Sequence, residues 1–302
     1  MARVVHNINE ANCVTHSGNM HADEVFATAF LELYLKDVSV YRTKSVDSTN
    51  ISDDILVYDI GRGKYDHHQE DALKRDNGIT YSSFGLLFKE FGKDFLSKQN
   101  NIKYIDEVFN GIDKDLVEGI DADDNGFFPK IEANYKVKTV SNIIKMFNPS
   151  YDSFEDESTQ FIKAVSLARE ILLEEVIYIN GKVLSDKEVS KILDKMEDNS
   201  KYLILEEYLP YEDSVLSSTK TDSLLFVAFP SNRGGFAIKV LPKSSTDRTA
   251  RLPFPEEWAG KEGEELERIS GISGLNFCHT GRFIVNCRDM SCVLQVLNLL
   301  CK

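Results

Sequence analysis

Four of the chain's six histidines fall in two short segments, THSGNMHADE at 15–24 and YDHHQ at 65–69. Each segment sets an aspartate beside its histidines: Asp23 two residues after His21, and Asp66 directly before His67 and His68. Imidazole and carboxylate together suit Mn2+, Fe2+, Co2+ or Zn2+, whereas Mg2+ prefers an all-oxygen shell. No CxxC pair accompanies the cluster, so thiolate ligation is not indicated. Divalent ions held by such residues can acidify water and neutralise developing charge on oxygen, which is the chemistry of metal-assisted hydrolysis. A lone HxD or HH is weak evidence, because a single histidine is often just a satisfied polar residue. Four histidines with several aspartates at the ends of strands are a stronger signal.

The elements that must position these groups can be read from periodicity. Cys13 to Thr15 is a short apolar stretch that reads as a strand delivering His16 at its carboxyl end. From Asp23 to Leu35 the apolar residues Val25, Phe26, Ala29, Phe30, Leu33 and Tyr34 recur at helical spacing. VSVYRT at 38–43 is a strand, and ILVYDIG at 55–61 is almost continuously apolar up to Asp59, as in a strand buried on both faces. Strand, helix, strand, strand in this order predicts an α/β domain with a largely parallel sheet. Ligands of such sheets gather outside the carboxyl ends of the strands, where His16 and Asp59 fall. Further helices are expected at 80–91, 101–115 and 136–147, and again at 161–179 and 185–196. The segment EGIDADDNG at 118–126 supplies Asp121 as a further candidate ligand. Asp123 and Asp124 read as solvated neighbours before an Asn125-Gly126 turn.

After about residue 200 the pattern changes. LLFVAFP at 224–230 and GFAIKVLP at 235–242 are strand-like and joined by SNRG, a hairpin signal. A third strand-like run spans 275–287, and the tail from Asp289 to Leu300 has helical spacing. The expected division is a catalytic domain at 1–155, a helical connector at 156–200 and a smaller C-terminal α+β domain at 201–302.

Bulk composition bounds the rest. The chain has 302 residues, 35 Lys+Arg against 49 Asp+Glu, and a formal charge of −14. So acidic a chain is a poor non-specific nucleic-acid binder, although a local basic path is compatible with it. Five cysteines, an odd number without paired spacing, predict reduced thiols in an intracellular protein. No secretory signal or long arginine-rich leader is visible, and no apolar run approaches the ~20 residues needed to span a membrane.

Six segments in order then make the sequence recognisable: THSGNMHADEVFA, DIG at 59–61, YDHHQ, DADDNG at 121–126, RLPFPEEW at 251–258 and GISGLNFCHTGRF at 271–283. Over nearly the whole chain they resemble the melanocyte-proliferating-gene family, a branch of the DHH phosphoesterase superfamily. The resemblance implies a DHH-type fold, two divalent ions with Mn2+ favoured, and 3'-to-5' exoribonuclease activity in the nucleus or mitochondrion. A place in the cytoplasm is also compatible with the sequence. By the same resemblance His16, His21 and Asp59 would hold one ion. Asp23, Asp59, His67 and Asp121 would hold the other, with Asp59 bridging. His68 would face the phosphate and Asp66 would orient a histidine, so that His68, Asp59 and Asp66 carry catalysis. One departure stands out: many superfamily members read HxxxDxD where this chain reads HxxxxHxD, which puts His21 in the usual place of an aspartate and softens the first site.

The resemblance also implies that a glycine-rich segment of the C-terminal domain grips substrate. Gly271 and Gly274 would let backbone amides approach a phosphate, and His279, Arg282 and Arg251 would add charged contacts. The expected substrate is RNA or a short oligonucleotide, and a homo-oligomer is compatible with the sequence. Two other readings remain open: a hydrolase of short oligonucleotides, cyclic dinucleotides or pyrophosphate, and an RNA-processing binding protein with a vestigial metal site.

Overall fold

The first apolar runs of the chain assemble into a four-stranded sheet in which every pairing is parallel. In the computed structural model, which describes residues 1–46, 51–52 and 54–301, the strands are β1 (Ala2–Val5), β2 (Cys13–His16), β3 (Val38–Thr43) and β4 (Leu56–Val57), in the order β1-β3-β2-β4. β2 is central, with Cys13 aligned to Val40 on one side and to Leu56 on the other. The continuous strand expected at 55–61 is much shorter. Asp59, Gly61 and Arg62 all take positive φ (57°, 85° and 54°), which ends the extended conformation after Val57 and bends the chain into the DHH segment. Among the described residues β4 pairs with β2 alone, and it is half-buried.

Helix α1 (Ala22–Leu35) follows β2 directly and is buried throughout its first ten residues. It packs on α2 (Ser83–Ser97) through Phe30, whose ring lies 5.6 Å from those of both Phe88 and Phe95. Each such aromatic contributes roughly 1.5–3 kcal/mol by leaving water, and together they fix α2 against α1. Next, α3 (Ile105–Ile112), a π-helical turn (Asp113–Val117) and α4 (Glu118–Asp124) form one helical run. The DADD residues are thus the end of a helix, and the turn begins only at Asn125 and Gly126 (φ 77°). α5 (Val140–Lys145) follows. The helices expected at 161–179 and 185–196 are a single helix, α6 (Glu157–Lys195).

The chain divides into two compact units, Met1–Gly181 and Lys182 onward. In the second, β5 (Tyr202–Ile204), β6 (Phe226–Pro230), β7 (Phe236–Val240), β8 (Leu275–Cys278) and β9 (Ile284–Cys287) form a mixed sheet in the order β5-β6-β7-β9-β8. Only β5 and β6 run parallel. The hairpin of β6 and β7 forms as its SNRG turn predicts. The single strand-like run at 275–287 is instead a second hairpin, folded back at 279–283. Alternation along the strands gives two buried faces. Val227, Phe229 and Leu241 pack with Val189, Leu193 and Val215, the last on α7 (Glu212–Ser217). Phe226, Ile238 and Val285 pack with residues of α8 (Gly263–Ser270) and α9 (Met290–Leu300). The chain is thus α/β with a parallel sheet, a helical region and a smaller C-terminal unit built on a mixed sheet. All five cysteines are free. No helix among the described residues is long and apolar enough to cross a membrane.

One buried ion-pair group ties the helices of the first unit together. Arg75 donates to Asp113 (2.8 Å) and Asp121 (2.7 Å), and its guanidinium lies 4.2 Å from the centre of the Tyr81 ring. Ser82 donates to Asp121 from both its backbone N–H (3.0 Å) and its hydroxyl (2.7 Å). Gly85 makes room for this arrangement, because a Cβ there would overlap the Asp121 carboxylate. That carboxylate is held from several sides and cannot move away cheaply. Gly85→Ala should therefore lower stability by about 1–3 kcal/mol in thermal melts, despite alanine's better helix propensity. Gly119→Ala, on α4 with nothing within 4 Å of the new Cβ, should be neutral or gain up to about 1 kcal/mol.

Candidate metal centre

The carboxyl end of the sheet gathers histidines and carboxylates from four chain segments. His16 is the last residue of β2, and its Nε2 lies 3.1 Å from Asp59 and 3.5 Å from Glu24. Asp59 is held in the left-handed region by the loop after β4, a conformation that aspartate tolerates better than most residues. Its Oδ1 is 3.3 Å from His67 Nε2. His67 Nε2 is also 3.1 Å from Asp124 and 3.6 Å from Asp23. His21 Nδ1 lies 3.7 Å from Asp124. Three sets of ligand atoms lie close enough together to hold an ion: His16, His21 and Glu24; Asp59, His67 and His68; and Asp23, His67 and Asp124. Asp59, which touches both His16 and His67, links them.

The polar accounting fits a cation. His67 Nε2 and Asp59 Oδ1 are buried and have no hydrogen-bond partner, a costly state for such groups that ligation would relieve. The other ring nitrogen of His67, Nδ1, lies 3.3 Å from Asn125 Oδ1. Asn125 in turn donates to the Thr80 and Asp121 carbonyls. Its amide oxygen thus accepts from His67 Nδ1, which leaves Nε2 as the ligand atom, the outer-shell arrangement common to metal-bound imidazoles.

Proton affinities report the same crowding of charge. Burial pushes the Asp23 carboxyl up, and the charges of Asp59 and Asp124 push it further. Burial also raises Glu24. For Asp59 burial acts upward as well, but the neighbouring rings of His16 and His67 win and hold it well below the usual carboxylate range. In His16 and His67 burial works against the charged ring. It is outweighed by Asp59 with Glu24 at His16, and by Asp124 with Asp59 at His67, so both are pushed up to about 11.

The remaining candidates are placed as follows. Asp66 accepts from the backbone N–H of Arg62 (2.6 Å) and lies 2.7 Å from His68 Nδ1. The His68 ring is more than half exposed, and the Asp66 hydrogen bond raises its proton affinity. Asp121 joins none of the three ligand sets among the described residues, and its carboxylate is engaged by Arg75 and Ser82. Asp124, on the next turn of α4, is the aspartate brought to His67. Glu24 and Asp124 stand in the candidate ligand sets and Asn125 beside His67, and none of the three was a candidate from the sequence. Asp124 and Asn125 were read as surface turn, and Glu24 directly follows the aspartate that drew attention.

In the second unit Gly271 (φ 70°) ends α8, and the Gly274 N–H donates to Glu267 (2.7 Å). Arg251 donates to the carbonyls of Pro242, Thr221, Asp222 and Leu224. Both glycines and Arg251 therefore have structural work in the fold. His279 and Arg282 lie together in the turn between β8 and β9. The Arg282 guanidinium reaches the Phe254 carbonyl (3.4 Å). The His279 ring packs on Phe283 (4.4 Å between centroids) and lines a cavity of about 790 Å3 with Tyr208, Arg233 and Phe277.

At neutral pH both His16 and His67 carry a proton that a metal must displace, since only the neutral imidazole nitrogen can ligate. Raising the pH from about 6 to about 9 should tighten Mn2+ binding, with up to about two protons released as the ligands are taken up. Calorimetry in buffers of different ionisation heat reads this release directly. An affinity independent of pH would remove both imidazoles from the ligand set.

Residues 12–299 match a family described as "Uncharacterised protein family (UPF0160)". The MYG1 protein of Chlamydia pneumoniae is 30% identical over 283 residues, 89% of either chain. The MYG1 protein of Dictyostelium discoideum is 27% identical over 92% of each chain, and the human MYG1 exonuclease is 27% identical over 89% of this chain and 80% of its own. RecJ from Thermus thermophilus, solved with Mg2+, matches over 97% of this chain but about half (51%) of its own length. At 14% identity and a TM-score of 0.28, that match is too distant to fix a common arrangement of elements. The extent of the sequence matches does decide the matter of kinship: the chain belongs to the MYG1 family.

Proposed function

We propose that the first unit is a metal-dependent phosphodiesterase of DHH type, acting on RNA from its 3' end. The observation that carries this reading is the convergence of buried, unpartnered His67 Nε2 and Asp59 Oδ1 with further histidines and carboxylates at the end of a parallel sheet. The name exonuclease borne by the human relative supports nucleic acid as substrate.

The residues divide into two ligand sets that share Asp59. His16, His21, Glu24 and Asp59 form one, and Asp23, Asp59, His67 and Asp124 form the other, with Asp124 taking the part expected of Asp121. The mixed donor set favours Mn2+ over Mg2+. Two bound divalent ions would supply Lewis acidity, acidifying water and neutralising phosphoryl oxygens. Around them the chain's own groups do the positioning. Asp66 holds His68 by Nδ1 and raises its proton affinity, so its exposed ring is placed to meet a phosphate. Asn125 fixes the His67 ring, and the N–H groups of Ser83 and Phe84 fix the Asp23 carboxylate. The net charge of −14 favours a second reading, in which the substrate is a dinucleotide or pyrophosphate rather than a long strand.

Incubation of 5'-labelled RNA, DNA, dinucleotides and pyrophosphate with the protein and Mn2+ separates these outcomes. A ladder shortening from the 3' end of RNA supports the leading reading, and cleavage confined to dinucleotides or pyrophosphate supports the second. Asp59→Asn and Asp124→Asn should each lower turnover by more than roughly 100-fold, beyond the usual cost of losing an outer-shell partner, while remaining folded. Asp121→Asn should chiefly lower the melting temperature. If Asp121→Asn abolished turnover in a fully stable protein and Asp124→Asn did not, the ligand assignment on α4 would be reversed.

A further inference from the structure

On the Asp124 side of the metal ligands the first unit has a small cavity of about 250 Å3. Met20, Ile120 and Phe128 supply its apolar wall, and Ser141, Asn142 and Lys145 supply polar groups. His21 and Asp124 join it to the metal ligands, and Asp123 is a further acid on its wall. The volume lies just below the roughly 300–1,000 Å3 of sites that take a whole drug-sized molecule, which suits a single nucleotide unit. Met20 and Ile120 are fully buried, but the Phe128 ring is 70% exposed. Such a ring on a cavity wall has a face to offer a ligand.

Phe128 begins a segment, residues 127–139, that has no helix or strand. Along it Phe127, Phe128 and Tyr135 are exposed, and Lys130, Lys136 and Lys138 alternate with them against the single acid Glu132. No described carboxylate forms an ion pair with these lysines or with Lys145; Lys138 Nζ reaches only the Met146 sulfur (3.1 Å). In a chain of charge −14 this is a local surplus of two positive charges over twelve residues, 127–138 (three Lys, one Glu). Exposed aromatics interleaved with unpaired lysines are what a single-stranded nucleic acid needs, rings to stack bases and cations to follow phosphates. Exposed aromatics alone do not make such a surface. The segment at 148–156 also exposes Tyr151 and Phe154, but it sets them among Asp152, Glu155 and Asp156, which repel a polyanion.

We propose that this cavity seats a base of a single-stranded nucleic acid against Phe128, and that residues 127–138 carry the adjoining strand away from the metal ligands. The assignment rests on the nucleolytic reading above and names where that reading's substrate is held. Lys145 meets the backbone of the seated nucleotide, and the unengaged groups of Ser141 and Asn142 meet the base edge.

Fluorescence anisotropy of a labelled eight-nucleotide single-stranded RNA with the whole protein, in EDTA so that no turnover occurs, tests the proposal. Phe128→Ala should weaken binding roughly tenfold, the cost of one lost base–aromatic stack. Replacing Lys130 and Lys136 together by alanine should lower the slope of log affinity against log salt by about 1.4, the value for two single-strand phosphate contacts. Tyr151→Ala, in the acidic segment, should leave affinity unchanged. Equal affinity for wild type and Phe128→Ala overturns the proposal, as does a wild type that binds no RNA at millimolar concentration. Hydrolysis of bis(p-nitrophenyl) phosphate by the wild-type protein with Mn2+ reads the nucleolytic reading separately. A protein that binds RNA through Phe128 but cleaves nothing would sink that reading and leave this one standing.

Discussion

Four carboxylates and too few permanent cations share the end of the parallel sheet, and the rest of the first unit is arranged around that fact. Asp23 and Glu24 are wholly buried, and Asp59 and Asp124 nearly so. Burying an ionised carboxylate without compensation costs several kcal/mol, so each must find a partner. Arg42 lies 4.0 Å from Glu24 but gives its closest contact, 2.7 Å, to Glu157. The remaining compensation falls to His16 and His67, whose proton affinities these carboxylates raise. A proton on an imidazole is a local positive charge that can be surrendered, and this distinguishes a site that takes up cations from a buried ion pair. Arg75 with Asp121 is the contrasting case a few residues away. There a guanidinium that cannot lose its charge closes the pair permanently, and the result is scaffold.

The same carboxylates also anchor the backbone, which fixes their directions. Asp23 accepts from the N–H groups of Ser83 and Phe84 at the start of α2, where the helix leaves donors unpaired. Glu24 accepts from the His21 N–H, closing the first turn of α1. Asp66 accepts from the N–H of both Arg62 and His68, which tightens the loop that carries the histidine pair. A ligand held by main-chain donors has little freedom to lose when it binds an ion, and this preorganisation is what a catalytic metal site needs. The aromatic packing of Phe26 against Phe84, 5.6 Å between ring centres, therefore reaches the site through geometry: it holds the start of α2 on α1, and α2's first N–H groups set Asp23.

Much of this was legible in the sequence because its signals are local. Histidine and aspartate at fixed spacing after an apolar strand placed His16, His21 and Asp23 at one sheet end, and VSVYRT has the bounds of β3 as read. Where the reading departed from the structure, the determining contact was distant. ILVYDIG looked like a buried strand, but the positive φ of Asp59, Gly61 and Arg62 answers to the histidine loop beyond it. The run at 275–287 looked like one strand because CHTGRF contains no strong turn pair, although Arg282 takes φ 55° there. The two helical stretches between 161 and 196 joined because residues 180–184, which include Val183 and Leu184, hold no proline to stop a helix.

DADDNG shows why element type must be settled before ligands are chosen. As a loop, its three aspartates cannot be ranked, and the first to appear is the natural choice. As the end of a helix, each residue turns by about 100°, so Asp124 lies about 60° and Asn125 about 40° from Asp121, while Asp123 faces away. One face then carries three polar groups in sequence along the axis. The group nearer the start meets Arg75 and Ser82, and the two nearer the end meet His67. The short hydrophobic turns of α4 gave little periodic signal with which to identify the helix, since Ile120 is its only large apolar residue. The division of roles between Asp121 and Asp124 thus follows from where Arg75 stands, a residue of another segment whose position the local pattern of DADDNG cannot encode.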